Sequence, residues 1–289
     1  MRKRFLSLIL VFFIVFSALS SFFSELSHAL NTDSISPAIN GATSNKYFKA
    51  KPAVFEMGDG YAVVWATNFV GIGYITYTYN GVKYTVYDQK NGIARTDDTV
   101  HVVKVPHEHL SNNSYTVFTK EVTKQTDVSF NFGVTVSAGP IYLKGYNGND
   151  DVKFLVLTDV HANLQDAKKV SKFFTEDPDI IVFNGDIVGE IQTKDQMIDT
   201  VFAIPGEISG GRYPVIYCRG NHETRGRYAS MLLDYFPTKT GEFYFDFEYG
   251  PLHGIVIDTG EDKDDGHVEY GGLVNYKEYH EKQEVWLRT

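Results

Sequence analysis

The spacing of apolar residues changes once along this chain, at Asp151, and that change constrains the fold more than any other feature. Between about residue 45 and residue 145, apolar and polar residues alternate in short runs, which is typical of β-strands. After Asp151, short apolar runs alternate with segments of helical spacing, which predicts β–α–β units around a mainly parallel sheet. The chain therefore divides into two predicted halves.

The first half predicts short strands joined by tight turns. Residues 61–67 and 73–79 have the pattern of strands. Asn80-Gly81 is typical of a type I′ hairpin turn, so residues 82–87 are predicted to pair with residues 73–79. Further β-branched and aromatic runs span residues 99–105, 115–122 and 128–136. Strands of this length and spacing predict an all-β sandwich.

The second half alternates strands with amphipathic helices. The predicted strands span residues 152–158, 179–184, 214–219, 242–249 and 254–258. The predicted helices span residues 164–175, 194–204, 228–236 and 277–287. The segment 145–150, Gly-Tyr-Asn-Gly-Asn-Asp, is typical of a linker between the two halves.

The first 29 residues match a secretory signal peptide. Basic residues at 2–4 precede an apolar run at 5–16, and the small residues Ser27 and Ala29 stand at a cleavage site. The alternative is an uncleaved membrane anchor over residues 5–23. If the segment is cleaved, the chain has no stable membrane span, and we expect a secreted or cell-envelope protein.

Composition excludes several classes of protein. The chain of 289 residues is 43% hydrophobic and 22% charged, which is globular composition. A net charge of -9 argues against binding to nucleic acid. The single cysteine, Cys218, rules out an intramolecular disulfide, which for a secreted chain favours a bacterial source. Neither a Gly-x4-Gly-Lys-Ser/Thr loop nor a Gly-x-Gly-x-x-Gly turn is present, so a nucleotide-binding module has little support.

Polar clusters follow the first three strands of the second half. They are Asp159-Val160-His161, Asn184-Gly185-Asp186 and Gly220-Asn221-His222-Glu223. The carboxyl ends of parallel strands form the ligand crevice of an open sheet, so we expect these clusters to meet. Each residue alone has the alternative role of capping a helix, but the ordered set favours a metal centre.

The residue types suggest how metals are held. Asp159 and His161 can turn toward one cation, and the two oxygens of Asp186 can bridge two cations. Asn221 offers an amide oxygen to the second cation. Mixed oxygen and nitrogen ligands suit Mn, Fe or Zn better than Ca or Mg. The sequence therefore predicts two metal ions, of unspecified identity, at this edge of the sheet.

The pattern Asp-x-His, Gly-Asp, Gly-Asn-His-Glu over residues 151–289 resembles the calcineurin-like metallophosphoesterase family. The resemblance implies a β-sandwich flanked by helices that hydrolyses phosphoesters with a metal-activated hydroxide. The first half, with residues 64–67 and 101–103, resembles the fibronectin-III-like domain of purple acid phosphatases. The implied domains are a β-sandwich at 30–147 and a metallophosphoesterase domain at 151–289.

The resemblance assigns a role to each site residue. It implies that Asp159 and His161 hold one metal, that Asp186 bridges, and that Asn221 holds the other. It implies that His222 is catalytic rather than a ligand, beside the phosphoester substrate, where it stabilises the transition state or protonates the leaving oxygen.

Neighbouring residues receive weaker assignments. A carboxylate such as Glu223 is expected to orient His222. Arg219 and Arg225 could add positive charge near a phosphate, but we favour an interpretation as surface arginines. Gly189 stands where purple acid phosphatases carry an iron-binding tyrosine, so a purple site is not expected.

The sequence also departs from the family near its end. The family has a further strand histidine and a Gly-His-x-His motif, which this sequence lacks before Thr289. We interpret His253 as a packing residue, His267 as part of a loop and His280 as a surface residue. We therefore expect a catalytic domain that is incomplete at its C-terminus and a metal centre with an incomplete ligand shell.

Two functions remain open at this point. The first is a secreted metal-dependent phosphoric ester hydrolase, impaired in this chain. The second is a non-catalytic secreted binding or structural protein with a vestigial metal site. The sequence does not select among monoesters, diesters, nucleotides and phosphoproteins as substrates, because one scaffold supports many activities.

Overall fold

The computed structural model describes residues 46–148, 151–260 and 263–289. The strands of the first half are β1 Phe48–Glu56, β2 Tyr61–Thr67, β3 Gly71–Tyr79, β4 Val82–Tyr87, β5 Gln89–Lys90, β6 Ile93–Ala94, β7 Val100–Val105, β8 Asn113–Gln125 and β9 Phe130–Leu143. Those of the second half are β10 Phe154–Leu157, β11 Ile180–Asn184, β12 Pro214–Cys218, β13 Phe245–Tyr249 and β14 Leu252–Val256.

Four helices accompany these strands in the described ranges. Helix α1 is His107–Leu110, α2 is Leu164–Ser171 and α4 is Tyr276–Leu287. Helix α3 begins as Lys194–Met197, passes through a π-helical turn and ends as Ala203–Ser209. The helix predicted at 228–236 is a 3-10 helix, Ala229–Tyr235. It follows Gly226 and leads into Pro237, a short interval that limits the length of a helix.

One six-stranded sheet contains strands from both halves of the sequence. Its order is β10-β11-β12-β1-β2-β7. Strand β1 lies parallel to β12, with Val54 opposite Pro214, and β2 and β7 continue antiparallel. The expected separate fibronectin-III-like sandwich is therefore not confirmed, because three of its strands extend the parallel sheet. The boundary between 147 and 151 stays a prediction.

Smaller sheets cover one face of this central sheet. Trp65 of β2 shares a buried cluster with Ile75 of β3 and Val117 of β8, which belong to the antiparallel sheet β4-β3-β8-β9. At the other end, Ile180 and Ile216 pack with residues of the β13-β14 hairpin. The smaller sheets thus cover the central sheet from β7 to β11, whereas Phe154 and Val156 of the outer strand β10 are exposed.

The helical layer covers the opposite face. Val64, the neighbour of Trp65, belongs to a cluster that includes Val201 and Phe202 of α3. Successive side chains of a strand point to opposite faces, so one strand serves both cores. Strand β2 is buried along its entire length for this reason. Burial on both faces explains the nearly continuous apolar runs in the sequence.

The predicted signal segment, residues 1–29, lies outside the described residues. Within the described ranges, no helix combines the length and the apolar character needed to cross a membrane.

Candidate metal centre

The three polar clusters meet at the carboxyl ends of three neighbouring parallel strands. Leu157 of β10 lies beside Phe183 of β11, and Asn184 of β11 lies beside Cys218 of β12. The loops that follow these strands border an open cleft of about 710 Å³. The residues that line it are Thr158, Asp159, Asn184, Gly185, Asp186, Cys218, Arg219, Gly220, Asn221, Ile257, Thr259 and Gly260. The expectation that the motifs converge is correct.

Backbone strain is concentrated at these loops. Asp159, His161, Ala162 and Asp186 have φ values of 53°, 45°, 63° and 55°. Elsewhere in the described residues, the only non-glycine residues with positive φ are asparagines. Asparagine, aspartate and histidine enter this conformation more readily than other non-glycine residues, whereas alanine does so at a greater cost. Such strain persists where the surrounding structure holds it, and it is common at functional sites.

Hydrogen bonds between adjacent loops hold this conformation. The N–H groups of Asp159 and His161 donate to the carbonyls of Gly185 and Asp186, at 3.2 and 2.9 Å. The hydroxyl of Thr158 donates to the carbonyl of Asn184 at 3.0 Å. The first loop is thus fastened to the second along its length, which fixes Asp159 and His161 relative to Asp186.

Glu223 connects the second and third loops through buried hydrogen bonds. Its side chain is fully buried. Its carboxylate accepts from the N–H groups of Asp186 (3.0 Å), Ile187 (2.7 Å) and Gly220 (2.9 Å). Burial raises the pKa of Glu223, and these N–H donors only partly oppose that effect. Glu223 therefore holds the backbone that carries Asp186.

His222 is oriented by a carbonyl group. Its Nδ1 lies 2.7 Å from the carbonyl oxygen of Gly189. The expectation that Glu223 orients the ring is wrong, because all the hydrogen bonds of Glu223 go to backbone N–H groups. Since a carbonyl only accepts, Nδ1 carries the proton and Nε2 is left to accept or to bind a metal.

Three of the five predicted site residues form a compact donor group. Ligand atoms of His161, Asp186 and His222 all lie within 4.8 Å of one another. The rings of His161 and His222 meet edge to face, with centroids 4.6 Å apart. Asp159 joins the group through an oxygen 3.7 Å from Nε2 of His161. Because neutral imidazole and carboxylate are common metal ligands, this group fits a cation.

Asn221 brings a further donor to Asp186. One atom of its side-chain amide lies 3.0 and 3.1 Å from the two Asp186 oxygens, and the other lies 2.9 Å from a nitrogen of Arg225. With its nitrogen toward Asp186, the amide donates to the carboxylate. With its oxygen toward Asp186, the oxygens repel unless a proton or cation lies between them. These contacts favour the first orientation, because the amide oxygen then accepts from Arg225.

Arg219 is only 15% exposed, and its interpretation as a surface residue is wrong. Its Nε and a terminal nitrogen lie 2.7 and 2.6 Å from Oδ2 of Asp258, which is fully buried. Gln283 of α4 accepts from the N–H of Asp258 and donates to its carbonyl, at 2.8 and 2.9 Å. These contacts tie α4 to the wall of the cleft beside Gly220.

The remaining histidines lie away from the donor group. His253 is exposed and pairs with Asp246 at 3.1 Å, so its interpretation as a packing residue is wrong. His280 packs on Tyr276 and its Nε2 is buried, so it is not a surface residue. The N–H of His267 donates within a turn, as expected for a loop. Near the cleft, sequence reasoning overlooked Asp258, although it too follows a strand of the second half.

Comparison with known proteins gives a match to one family model and to solved structures. Residues 152–289 match the family model of the calcineurin-like phosphoesterases. The chain is similar to the solved structure of a purple acid phosphatase from yellow lupin (Lupinus luteus) seeds, with 16% identity, 77% of this chain and 47% of that chain covered, and a TM-score of 0.49. It is also similar to the structure of PhoD, with 12% identity, 78% and 54% coverage, and a TM-score of 0.44. The chain spans about half the length of these structures, and no curated protein matches it.

The family match covers the same segment that carries the three strand-end motifs. The match to the calcineurin-like phosphoesterases is therefore a match of one domain, over residues 152–289.

Proposed function

We propose that this chain belongs to a secreted or cell-envelope enzyme that hydrolyses phosphoric esters with the help of two metal ions. The observation that carries the proposal is the donor group of His161, Asp186 and His222, within 4.8 Å, in a segment of the phosphoesterase family. Secretion rests on residues 1–29, whose sequence is typical of a signal peptide.

The proposed ligands divide between two cations. Asp159 and His161 would hold one, Asn221 would hold the other, and Asp186 would serve both. Mn, Fe or Zn fits this mixture of oxygen and nitrogen donors. Bound there, two such ions would supply an activated water as nucleophile and neutralise charge on the phosphoryl oxygens. Gly189 provides no phenolate, so the centre would lack the colour of a purple phosphatase.

His222 is the proposed proton donor to the leaving oxygen. Its Nδ1–H is fixed by the Gly189 carbonyl, so Nε2 is the ring nitrogen left for a substrate. A proton held at Nε2 can pass to an alkoxide as the ester bond breaks. Glu223 supports this chemistry indirectly, because it anchors the loop backbones that bear Asp186 and Gly220.

The test compares Asp186→Asn with Asp195→Asn, which alters an exposed acid at the start of α3. Asparagine tolerates the positive φ of position 186, so the fold is expected to survive. We expect the first variant to lower Mn²⁺ affinity by roughly 100-fold and the second to leave it unchanged. Isothermal titration calorimetry measures the affinity directly.

Hydrolysis of p-nitrophenyl phosphate and of its bis ester at saturating Mn²⁺ provides the second measurement. Turnover that disappears in Asp186→Asn and persists in Asp195→Asn supports the enzyme. Metal binding without turnover would favour the non-catalytic alternative. Equal metal affinity in all three proteins would refute the proposed centre.

A further inference from the structure

The backbone of Arg225 is fixed beside the donor group. Its N–H donates to the carbonyl of His222 at 3.2 Å, and its carbonyl accepts from the N–H of Ile191 at 2.8 Å. The next residue, Gly226, has a φ of 101°, and a Cβ atom there would lie 2.5 Å from the carbonyl oxygen of Ile191. Since Ile191 is fully buried, the turn that carries Arg225 is held against the loop that follows Asp186.

The half-buried side chain of Arg225 reaches the proposed metal ligands. A terminal nitrogen of its guanidinium lies 2.9 Å from one atom of the Asn221 amide. The other atom of that amide lies 3.0 and 3.1 Å from the two oxygens of Asp186. A single amide group thus separates the guanidinium from the carboxylate that is proposed to serve both cations. The positive charge of Arg225 therefore lies at the edge of the metal centre.

Arg219 has a different place in the same region. Among the described residues that line the cleft, it is the only Lys or Arg. Two of its nitrogens contact the fully buried Asp258, and its guanidinium lies over the ring of Phe243, 4.6 Å from the centroid. The carboxylate of Asp258 balances its charge. Arg219 thus belongs to the wall of the cleft, whereas the guanidinium of Arg225 contacts a proposed metal ligand.

We propose that Arg225 binds an oxygen of the substrate phosphoryl group and that Asn221 couples this contact to metal binding. The inference rests on the proposed function. A guanidinium presents five N–H donors in one plane, so it can serve several acceptors at once, and its geometry matches the oxygens of a phosphate. Because the turn is held in place by backbone contacts, little ordering is needed when the substrate binds.

The coupling follows from the two orientations of the Asn221 amide. In the orientation that the contacts favour, the amide oxygen accepts from Arg225. As a metal ligand, the same oxygen must face the side of Asp186, and the amide nitrogen then faces Arg225. An amide nitrogen and a guanidinium are both donors, so their hydrogen bond is lost. Metal binding therefore transfers this N–H of Arg225 from Asn221 to a phosphoryl oxygen.

The test compares Arg225→Met with Arg227→Met, which alters an exposed arginine two residues away. Isothermal titration calorimetry measures the affinity for Mn²⁺ and, at saturating Mn²⁺, the affinity for inorganic phosphate. We expect Arg225→Met to bind phosphate at least about tenfold more weakly, because it loses a charge-assisted hydrogen bond. Its affinity for Mn²⁺ should stay equal or rise, because the Asn221 oxygen loses a competing donor.

Two further proteins complete the comparison. Arg227→Met should match the wild type in both affinities. Arg225→Lys keeps the charge without the planar fork, so its phosphate affinity should lie between those of the wild type and Arg225→Met. A general loss of structure would lower both affinities together, whereas the proposed role lowers the affinity for phosphate alone.

Unchanged phosphate affinity in Arg225→Met would overturn the assignment and leave the proposed function standing. A parallel loss of Mn²⁺ and phosphate affinity would also overturn it, because Arg225 would then hold the loop of Asn221 rather than the substrate. A wild type that binds Mn²⁺ but no phosphate would overturn it as well. A wild type that binds no Mn²⁺ would refute the proposed metal centre together with this assignment.

Discussion

His161 and Asp186 occupy backbone conformations that cost free energy, and buried contacts hold them there. Both have positive φ. The backbone of the second loop is held by Glu223, which accepts hydrogen bonds from Asp186 and Ile187. Hydrogen bonds to a charged group are worth about 1.5–3 kcal/mol each, which is comparable to the cost of one strained residue. The position of Asp186 in the donor group therefore depends on Glu223, a residue outside that group.

A second buried carboxylate, Asp98, supports a prediction about pH. It accepts from the N–H of Val100 (2.7 Å), from Arg95 (2.7 Å) and from Tyr235 (2.9 Å), and it pairs with Lys194. Burial alone would raise the pKa of Asp98, but the hydrogen bond from Lys194 and these other donors lower it overall. The folded state therefore binds a proton at this site less readily than the unfolded state does.

We expect Asp98→Asn to lower the free energy of unfolding by about 1–3 kcal/mol at pH 7. Because the pKa of Asp98 is lower in the folded state than in the unfolded state, its carboxylate stabilises the protein at pH values above the unfolded pKa of about 3.9. This contribution is lost as the pH falls through the folded pKa. The difference between variant and wild type should therefore shrink below pH 4. Urea denaturation at pH 7, 5 and 3.5 measures it, with exposed Asp234→Asn as control. A difference that is constant with pH would contradict this account.

Among the larger elements, helix α3 packs unusually close to strand β1. A Cβ atom added to Gly206 of α3 would lie 2.4 Å from the carbonyl oxygen of Lys51. The backbones of the helix and the strand touch at this point, because glycine lacks a side chain. The helical layer thereby rests on β1, the strand that joins the first half of the sequence to β12.

Gly206→Ala should therefore destabilise the protein, although alanine is the better helix former. We expect a loss of about 1–3 kcal/mol in the free energy of unfolding, because the added methyl group displaces α3 from β1. In an ordinary helix interior the same change would stabilise by about 1 kcal/mol. Gly266→Ala, where a Cβ meets no atom within 4 Å, is the control. Thermal unfolding followed by circular dichroism shows whether Gly206→Ala stabilises or destabilises the protein.

Helix α4 reaches the cleft through a small buried cluster. Asp258 accepts from Arg219, and Gln283 of α4 bonds both backbone groups of Asp258. Arg219 immediately precedes the loop that carries Asn221. The last described helix thus supports the loop that carries Asn221, a role that its polar sequence did not indicate.

For the whole molecule, the shared sheet makes the two halves depend on one another. The described residues all belong to one compact unit, and Phe55 of β1 belongs to the same buried cluster as Val215 of β12. Removing β1 would expose the edge of β12 and open this core. The proposed boundary between 147 and 151 separates two patterns of apolar spacing, but the central sheet contains strands from both sides of it.

A fragment of residues 151–289 tests the boundary. We expect it to lack a cooperative thermal transition, because it loses the strand beside β12 and part of both cores. The whole protein should unfold in a single transition in calorimetry. A fragment that melts cooperatively with dispersed amide signals in NMR would instead support two independent domains.

The sequence by itself determined most of the local elements and placed the polar clusters at strand ends. Period-two alternation placed the early strands, helical spacing placed α2, α3 and α4, and ordered polar clusters located Asp159, Asp186 and Asn221 at strand ends. These features depend on residues close together in the chain, so the spacing of apolar and polar side chains is enough to predict them. Arg219 and His280 are partly buried and were misread as surface residues, because the burial of a polar side chain depends on partners distant in sequence.

Only the tertiary structure decided which strands share a sheet. Strand β1 lies beside β12, although more than 150 residues separate them along the chain. An edge strand pairs with any suitable strand through the same backbone groups, so alternation alone does not name its neighbour. The contacts that settle the choice are side chains such as Phe55 and Val215, which meet only after the chain has folded.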